Sequence, residues 1–211
     1  MPALLRPTFA EEKLFQERGY QLIAGIDEVG RGALAGPVAA AAVILPLGLK
    51  AVWLKQVRDS KQLSPEKREV LSQNIREVAV SIGIGMVSHE VIDKRGIVKA
   101  TQMAMRLAVR QLTPPAEALL IDYFRLPGVR LPQKGVPDGD SLCISIACAS
   151  IVAKVSRDRL MIELDETYHG YGLANHKGYG TEEHLICLRR LGPSPIHRRS
   201  FQPVKVTGEE N

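Results

Sequence analysis

Four short runs of the chain are almost wholly apolar and end abruptly on polar residues. Leu22 to Ile26 is the first, and it stops at Asp27-Glu28. Val38 to Leu45 is the second, closed by Pro46 and Gly48. Val80 to Val87 is the third, weakened by Gly83 and Gly85, and Ala118 to Ile121 is the fourth, ending at Asp122. Runs of this length bounded by turn formers predict strands buried on both faces.

Between them the period changes to that of a helix. Residues 8–19, rich in Glu and Lys, predict a short one. Ser64-Pro65-Glu66 is a helix start, with a hydroxyl cap, proline in the first turn and an acid after it. Val70, Leu71, Ile75 and Val78 then recur on one face. Ile97 to Leu112 repeats apolar residues at 97, 100, 104, 107 and 108, until Thr113-Pro114-Pro115 stops it. A long helix is predicted from about Ile144 to Tyr168, apolar and small in its first half and charged in its second. Thr181-Glu182-Glu183 opens a last helix that Gly192-Pro193 ends. Interleaved strands and helices, with a hairpin-like pair near the start, predict an α/β domain: a mixed sheet flanked by helices and followed by a helical C-terminal part. The polar tail 205–211 is expected to be disordered.

The positions of the acids change the picture from fold to chemistry. Asp27 and Glu28 close one strand, Asp122 closes another, and Asp140 follows a glycine just before an apolar helix. Strand ends on one edge of such a sheet converge where these folds bind ligands. Any one of these acids is as readily a turn former or helix cap. Two adjacent charges ending a buried strand are harder to explain that way. Clustered carboxylates repel and drive protonation unless cations join them. Mg²⁺ or Mn²⁺ suits an all-oxygen set, and two such ions are a known means of hydrolysing a phosphodiester.

Gly30-Arg31-Gly32, with Ala35 and Gly36, superficially fits a dinucleotide fingerprint. That motif needs a helix to follow, and here Pro37 and a strand follow instead. The turn is either a plain tight turn with a solvated Arg31, or a place where backbone N–H groups meet a sugar or phosphate. No Walker motif, nucleophile elbow or His-Glu-x-x-His is present. The five histidines lack zinc-ligand spacing and are expected to be surface residues or substrate contacts.

Composition adds boundaries. The 211 residues fit one domain, 45% hydrophobic and 24% charged, so a core can form without disulfides or structural metal. Net charge +5 is compatible with a polyanionic partner and does not require one. Three cysteines with no Cys-x-x-Cys spacing argue for a reducing compartment. The first residues have no signal-peptide pattern. The longest apolar stretch, Ala33 to Leu47, is interrupted by prolines and shorter than the roughly 20 residues of a membrane helix. A cytoplasmic location without membrane contact is expected.

Several ordered motifs resemble bacterial ribonuclease HII, a type 2 ribonuclease H. They are Gly25-Ile26-Asp27-Glu28-Val29-Gly30-Arg31-Gly32 with Gly36-Pro37-Val38, Asp59-Ser60-Lys61, and Leu120-Ile121-Asp122. Gly139-Asp140 with Ser145-Ile146-Ala147, Ala149-Ser150-Ile151, Ala153-Lys154-Val155 and Arg157-Asp158-Arg159 follows. His176-Lys177-Gly178-Tyr179-Gly180-Thr181 and His197-Arg198-Arg199-Ser200-Phe201 complete the match. The resemblance implies a ribonuclease H-like five-stranded mixed sheet, with a catalytic core over about 20–165 and a helical substrate-binding part over about 166–204. It implies a monomer that cuts RNA in RNA–DNA hybrids and at single ribonucleotides in duplex DNA, leaving 3′-hydroxyl and 5′-phosphate ends. Asp27, Glu28, Asp122 and Asp140 would be the metal-binding catalytic set, for Mg²⁺ or Mn²⁺. Gly30, Arg31 and Gly32 would sense the 2′-hydroxyl, which separates RNA from DNA. Tyr179 would pack on a sugar, and Lys61, Ser150, Lys154, Arg198 and Arg199 would line the groove or touch phosphates. Ribonuclease HIII shares the Asp-Glu pair and carries an added N-terminal domain, which is not expected here because about twenty residues precede the first strand. The chain departs from the family where Tyr123-Phe124-Arg125 follows the third acid, since a glycine is common soon after it.

Overall fold

The computed structural model describes residues 6–207. Five strands form one mixed sheet in the order β3-β2-β1-β4-β5. They are β1 (Ile23–Val29), β2 (Val38–Ile44), β3 (Ser81–Val87), β4 (Ala118–Asp122) and β5 (Gln133–Val136). β1, β2 and β3 are antiparallel neighbours, whereas β4 and β5 run parallel to β1. The helices are α1 (Ala10–Gln16), α2 (Pro65–Val78), α3 (His89–Arg95), α4 (Ile97–Arg110), α5 (Gly139–Leu142), α6 (Ile144–Thr167), α7 (Leu173–His176), α8 (Glu182–Leu191) and α9 (Val204–Thr207).

The first four strands are the apolar runs. The fifth was implied by the resemblance and not located, because Gln-Lys-Gly-Val at a sheet edge carries no apolar period. Of the tail 205–211 expected to be disordered, residues 205–207 lie in the helical turn α9. Residues 208–211 of that tail lie outside the described residues.

Both faces of the sheet are covered, which is why the strands read as continuous apolar runs. Ala24, Ile26, Ala40, Ala42, Leu119 and Ile121 pack against Ala100, Ala104, Met105 and Ala108 of α4. Residues of opposite parity face α6: Ala41 and Val43 meet Ala147, Cys148 and Ile151, while Ile23, Ala118 and Leu120 meet Ile146. Every residue of β2 is fully buried, and four in succession, Ala39 to Ala42, are alanines. Close approach is also built into glycines. A Cβ on Gly25 would lie 2.1 Å from the Ser145 carbonyl carbon, and one on Gly85 would lie 2.0 Å from Ala104 O. Glu12 of α1, 2% exposed, accepts from the Ser145 N–H at 2.9 Å and so satisfies a free donor in the first turn of α6. Among the described residues no helix is long and apolar enough to cross a membrane.

Candidate active site

The register of β1 against β4 brings the acids together. Ile26 pairs with Ile121 in a parallel ladder, so the next residues, Asp27 and Asp122, leave the sheet side by side. Asp27 has the parity of Ile23 and Gly25 and therefore faces α6. Carboxylate oxygens of Asp27, Glu28 and Asp122 all lie within 4.8 Å of one another. Asp140, from α5, lines the same cleft without joining that closest group.

The acids are held by the backbone around them. Asp122 accepts from the Gly139 N–H at 2.8 Å, which ties β4 to the start of α5. Asp27 accepts from the Glu28 N–H at 2.7 Å, and the neighbouring Ser150 hydroxyl favours its charged form. Ser150 Oγ in turn is 2.9 Å from Ser60 Oγ. Arg31 donates to Glu28 Oε1 at 3.2 Å, while Glu28 Oε2 is buried with no partner.

Electrostatics follow from this crowding. Burial, then the charges of Glu28 and Asp122, hold the Asp27 carboxyl well above its ordinary range. Burial is also the main reason Glu28, Asp122 and Asp140 are raised. Burial alone would lower Lys61, but Asp59, Asp140, Asp27 and Asp122 outweigh it, so its ammonium is favoured. Lys154 is lowered, chiefly by burial, although it donates to Asp158 at 2.9 Å.

A cleft of about 600 Å³ runs over the acids. Of the residues singled out in the sequence, Asp27, Glu28, Gly30, Arg31, Gly32, Lys61, Asp122, Asp140, Ser150, Lys154 and Tyr179 line it. A second depression of about 530 Å³, beside Phe9, Leu49 and Leu54, contains no carboxylate in its lining. Arg199 is exposed outside the cleft, its N–H held by Asp93 at 2.9 Å.

Arg198 requires a correction. Expected to touch phosphate, it is 0% exposed and donates to Gly36 O at 3.0 Å and Arg31 O at 2.9 Å. It braces the glycine turn from below, where no phosphate reaches. Arg157, in the Arg157-Asp158-Arg159 motif, is likewise fully buried. It donates to the carbonyls of Pro37, Lys177 and Ala35 at 2.9, 2.9 and 3.1 Å. Gly30 has φ +87°, and a Cβ there would lie 2.2 Å from Arg157 Nε. The Tyr179 ring sits 5.5 Å from the guanidinium on the other side. One buried arginine therefore joins the glycine turn to the segment that carries Tyr179. A bridge from Ala33 to Tyr179 repeats the connection in the backbone.

Sequence reasoning missed Arg68, which lines the cleft and donates to Ser60 O and Leu63 O at 3.0 and 2.6 Å. No local pattern separates it from the other charges of α2. Three histidines also depart from expectation. His176, His184 and His197 are buried, with His176 and His184 stacked at 4.2 Å and His184 Nε2 3.0 Å from His197 Nε2. The Ser194 N–H donates to His197 Nδ1 at 3.0 Å, so His197 supplies its Nε2 proton to His184 and stays neutral.

Residues 24–204 match the family model described as Ribonuclease HII. This chain belongs to the ribonuclease HII family. A ribonuclease HII of Dehalococcoides mccartyi is 59% identical over 206 residues, 97% of each chain. The family fold is also that of two solved structures that share it at low identity. Ribonuclease H2 from Pyrococcus horikoshii superposes with a TM-score of 0.73 at 23% identity, over 89% of this chain and 97% of that one. Bst-RNase HIII in complex with Mn²⁺ gives 0.65 at 20% identity, over 91% and 71%. The protein is thus a ribonuclease H-type endoribonuclease, of a family that degrades RNA in RNA–DNA hybrids.

Proposed function

We propose that the chain hydrolyses the RNA strand of hybrids and also nicks duplex DNA on the 5′ side of single embedded ribonucleotides, leaving 3′-hydroxyl and 5′-phosphate ends. One observation carries the reading: three carboxylates within 4.8 Å share a cleft with the Gly30-Arg31-Gly32 turn.

The donor set fits Mg²⁺ or Mn²⁺. It is all oxygen, it is costly without positive charge, and it includes a buried, unpartnered Glu28 Oε2. Asp27, Glu28 and Asp122 would hold the ions, with Asp140 joining from α5. A pair of such ions, when bound, supplies an activated water and stabilises the leaving oxygen. The Mn²⁺ of the related HIII structure supports this donor chemistry.

The rest is performed by the chain. Ser150 orients Asp27, and Arg31 occupies Glu28 Oε1 and leaves Oε2 free. Backbone N–H groups of the Gly30–Gly32 turn meet the 2′-hydroxyl, a contact that DNA does not offer. Arg31, Lys61 and Lys154 take phosphates, Arg199 takes a flanking one, and Tyr179 packs against the neighbouring sugar. These contacts position the duplex without reading its sequence. Free thiols at Cys143, Cys148 and Cys187 suit the reducing cytoplasm, where we place the enzyme as a monomer.

The test is incubation with duplex DNA carrying one ribonucleotide, in Mg²⁺, Mn²⁺ or chelator. A metal-dependent nick 5′ of the ribonucleotide is expected, lost in Asp27→Asn and Asp122→Asn. Equal cutting of an all-DNA control would defeat the reading.

A further inference from the structure

Residue 123 leaves β4 directly after Asp122 with φ +56°, in the left-handed region that favours glycine. It is a tyrosine, 72% exposed, and the only exposed Phe, Tyr or Trp among the described residues. Its backbone is pinned. The Tyr123 N–H donates to Val136 O at 3.0 Å, and the Phe124 N–H donates to Asp122 O at 2.5 Å, closing a three-residue turn. Gly135 leaves room for that turn, since a Cβ there would lie 3.0 Å from Tyr123 O and 2.8 Å from Phe124 O.

The turn sets the Tyr123 ring edge-on to Phe124, with centroids 5.6 Å apart and planes at 83°. The Arg31 guanidinium lies 4.9 Å from the Phe124 centroid and bonds Glu28 on its other side. A continuous series of contacts therefore runs from the acid cluster, through Arg31 and Phe124, to an exposed ring at the lip of the cleft. Folding does not call for that ring. A glycine would adopt the turn without strain, and the ring buries little of itself against the protein.

We infer that Tyr123 is a further substrate-contacting residue, packing against a sugar of the bound duplex just outside the catalytic cleft, with Phe124 behind it fixing the direction of Arg31. The inference rests on the ribonuclease reading above. The ring face selects a sugar, because bases inside a duplex are already stacked on one another; the phenol hydroxyl is able to donate to a phosphate, and Tyr123→Phe below separates that contact from packing on the sugar. Tyrosine suits the place, with an apolar body and a polar tip toward water.

Steady-state cleavage of an RNA–DNA hybrid in Mg²⁺ by Tyr123→Gly tests it, together with thermal unfolding of the same variant. Covering about 60 Å² of ring predicts a KM raised about tenfold on its loss, with kcat retained. The melting temperature is expected to rise, since glycine accepts the positive φ. Opposite signs in stability and affinity separate a contact with substrate from a structural role. Tyr123→Asn, which also tolerates this backbone, should weaken binding similarly, and Tyr123→Phe should not. An unchanged KM in both ring-deleting variants, or a fall in kcat alone, would overturn the inference. Failure of the unsubstituted protein to cut the hybrid would instead overturn the reading beneath it.

Discussion

Replacing Asp27 by Asn is expected to stabilise the metal-free protein while removing its activity. The oxygens of Asp27, Glu28 and Asp122 lie within 4.8 Å, and Asp27 is 5% exposed. Two unit charges at that separation repel by about 3.5 kcal/mol at an effective dielectric constant of about 20. Asp27 belongs to two of the three pairs, so the gross repulsion removed is about 7 kcal/mol. Much of this is already relieved, because burial, Glu28 and Asp122 raise the Asp27 carboxyl and so favour its protonation. The net gain is therefore the smaller part, about 1–3 kcal/mol near neutral pH, or about 2–10 °C in melting temperature. Asparagine keeps an oxygen for the Glu28 N–H, so little else should be lost. The sign with pH is fixed. An acid raised in the folded state weakens the fold above its folded pKa and ceases to do so below its unfolded value. The advantage of the variant should shrink as pH falls from that raised folded value toward about 3.9. Thermal unfolding in chelator across this range measures it. Added Mg²⁺ should stabilise the wild type and not the variant. A variant that melts below the wild type in chelator at neutral pH would refute the electrostatic account.

Arg157→Met should lower stability by about 3–5 kcal/mol in urea unfolding, since three buried carbonyls lose a charged donor. A loss under about 1 kcal/mol would mean that water replaces the guanidinium. Burial, then His184, pushes His197 down to about 4. A histidine held neutral contributes stability above its unfolded pKa of about 6.5 and loses it as pH falls toward about 4, by about 3 kcal/mol. Unfolding of wild type and His197→Asn at both ends of that window should show the wild type losing about 3 kcal/mol more than the variant, since the raised acids and His184 titrate in both.

The sequence made most of the core and the acid set legible because both rest on strong local patterns. Four strands buried on both faces need long apolar runs, and acids that close them stand out against that background. What escaped lacks such a contrast. β5 is a four-residue edge strand with one buried side chain, so nothing in Gln133–Val136 marks its pairing with β4. Arg157 and Arg198 resemble any surface arginines, because their carbonyl partners come from loops up to 167 residues away. The buried histidines are hidden for the same reason: each is satisfied by main-chain groups and by the others.

The run of alanines in β2 has a consequence for anyone who would redesign this protein. Ala41 is paired with Asp27 and Ala40 with Glu28, and these two alanines sit beneath opposite helices, α6 and α4. A methyl group is all the clearance either helix has there. A bulkier graft at 40 or 41 would wedge a helix outward, and at 41 the displaced helix is the one that bears Ser150, the hydroxyl on which Asp27 leans. Thermostabilising work should therefore leave the centre of the sheet alone and turn to outlying positions such as Val52 and Val70, which already stand in solvent.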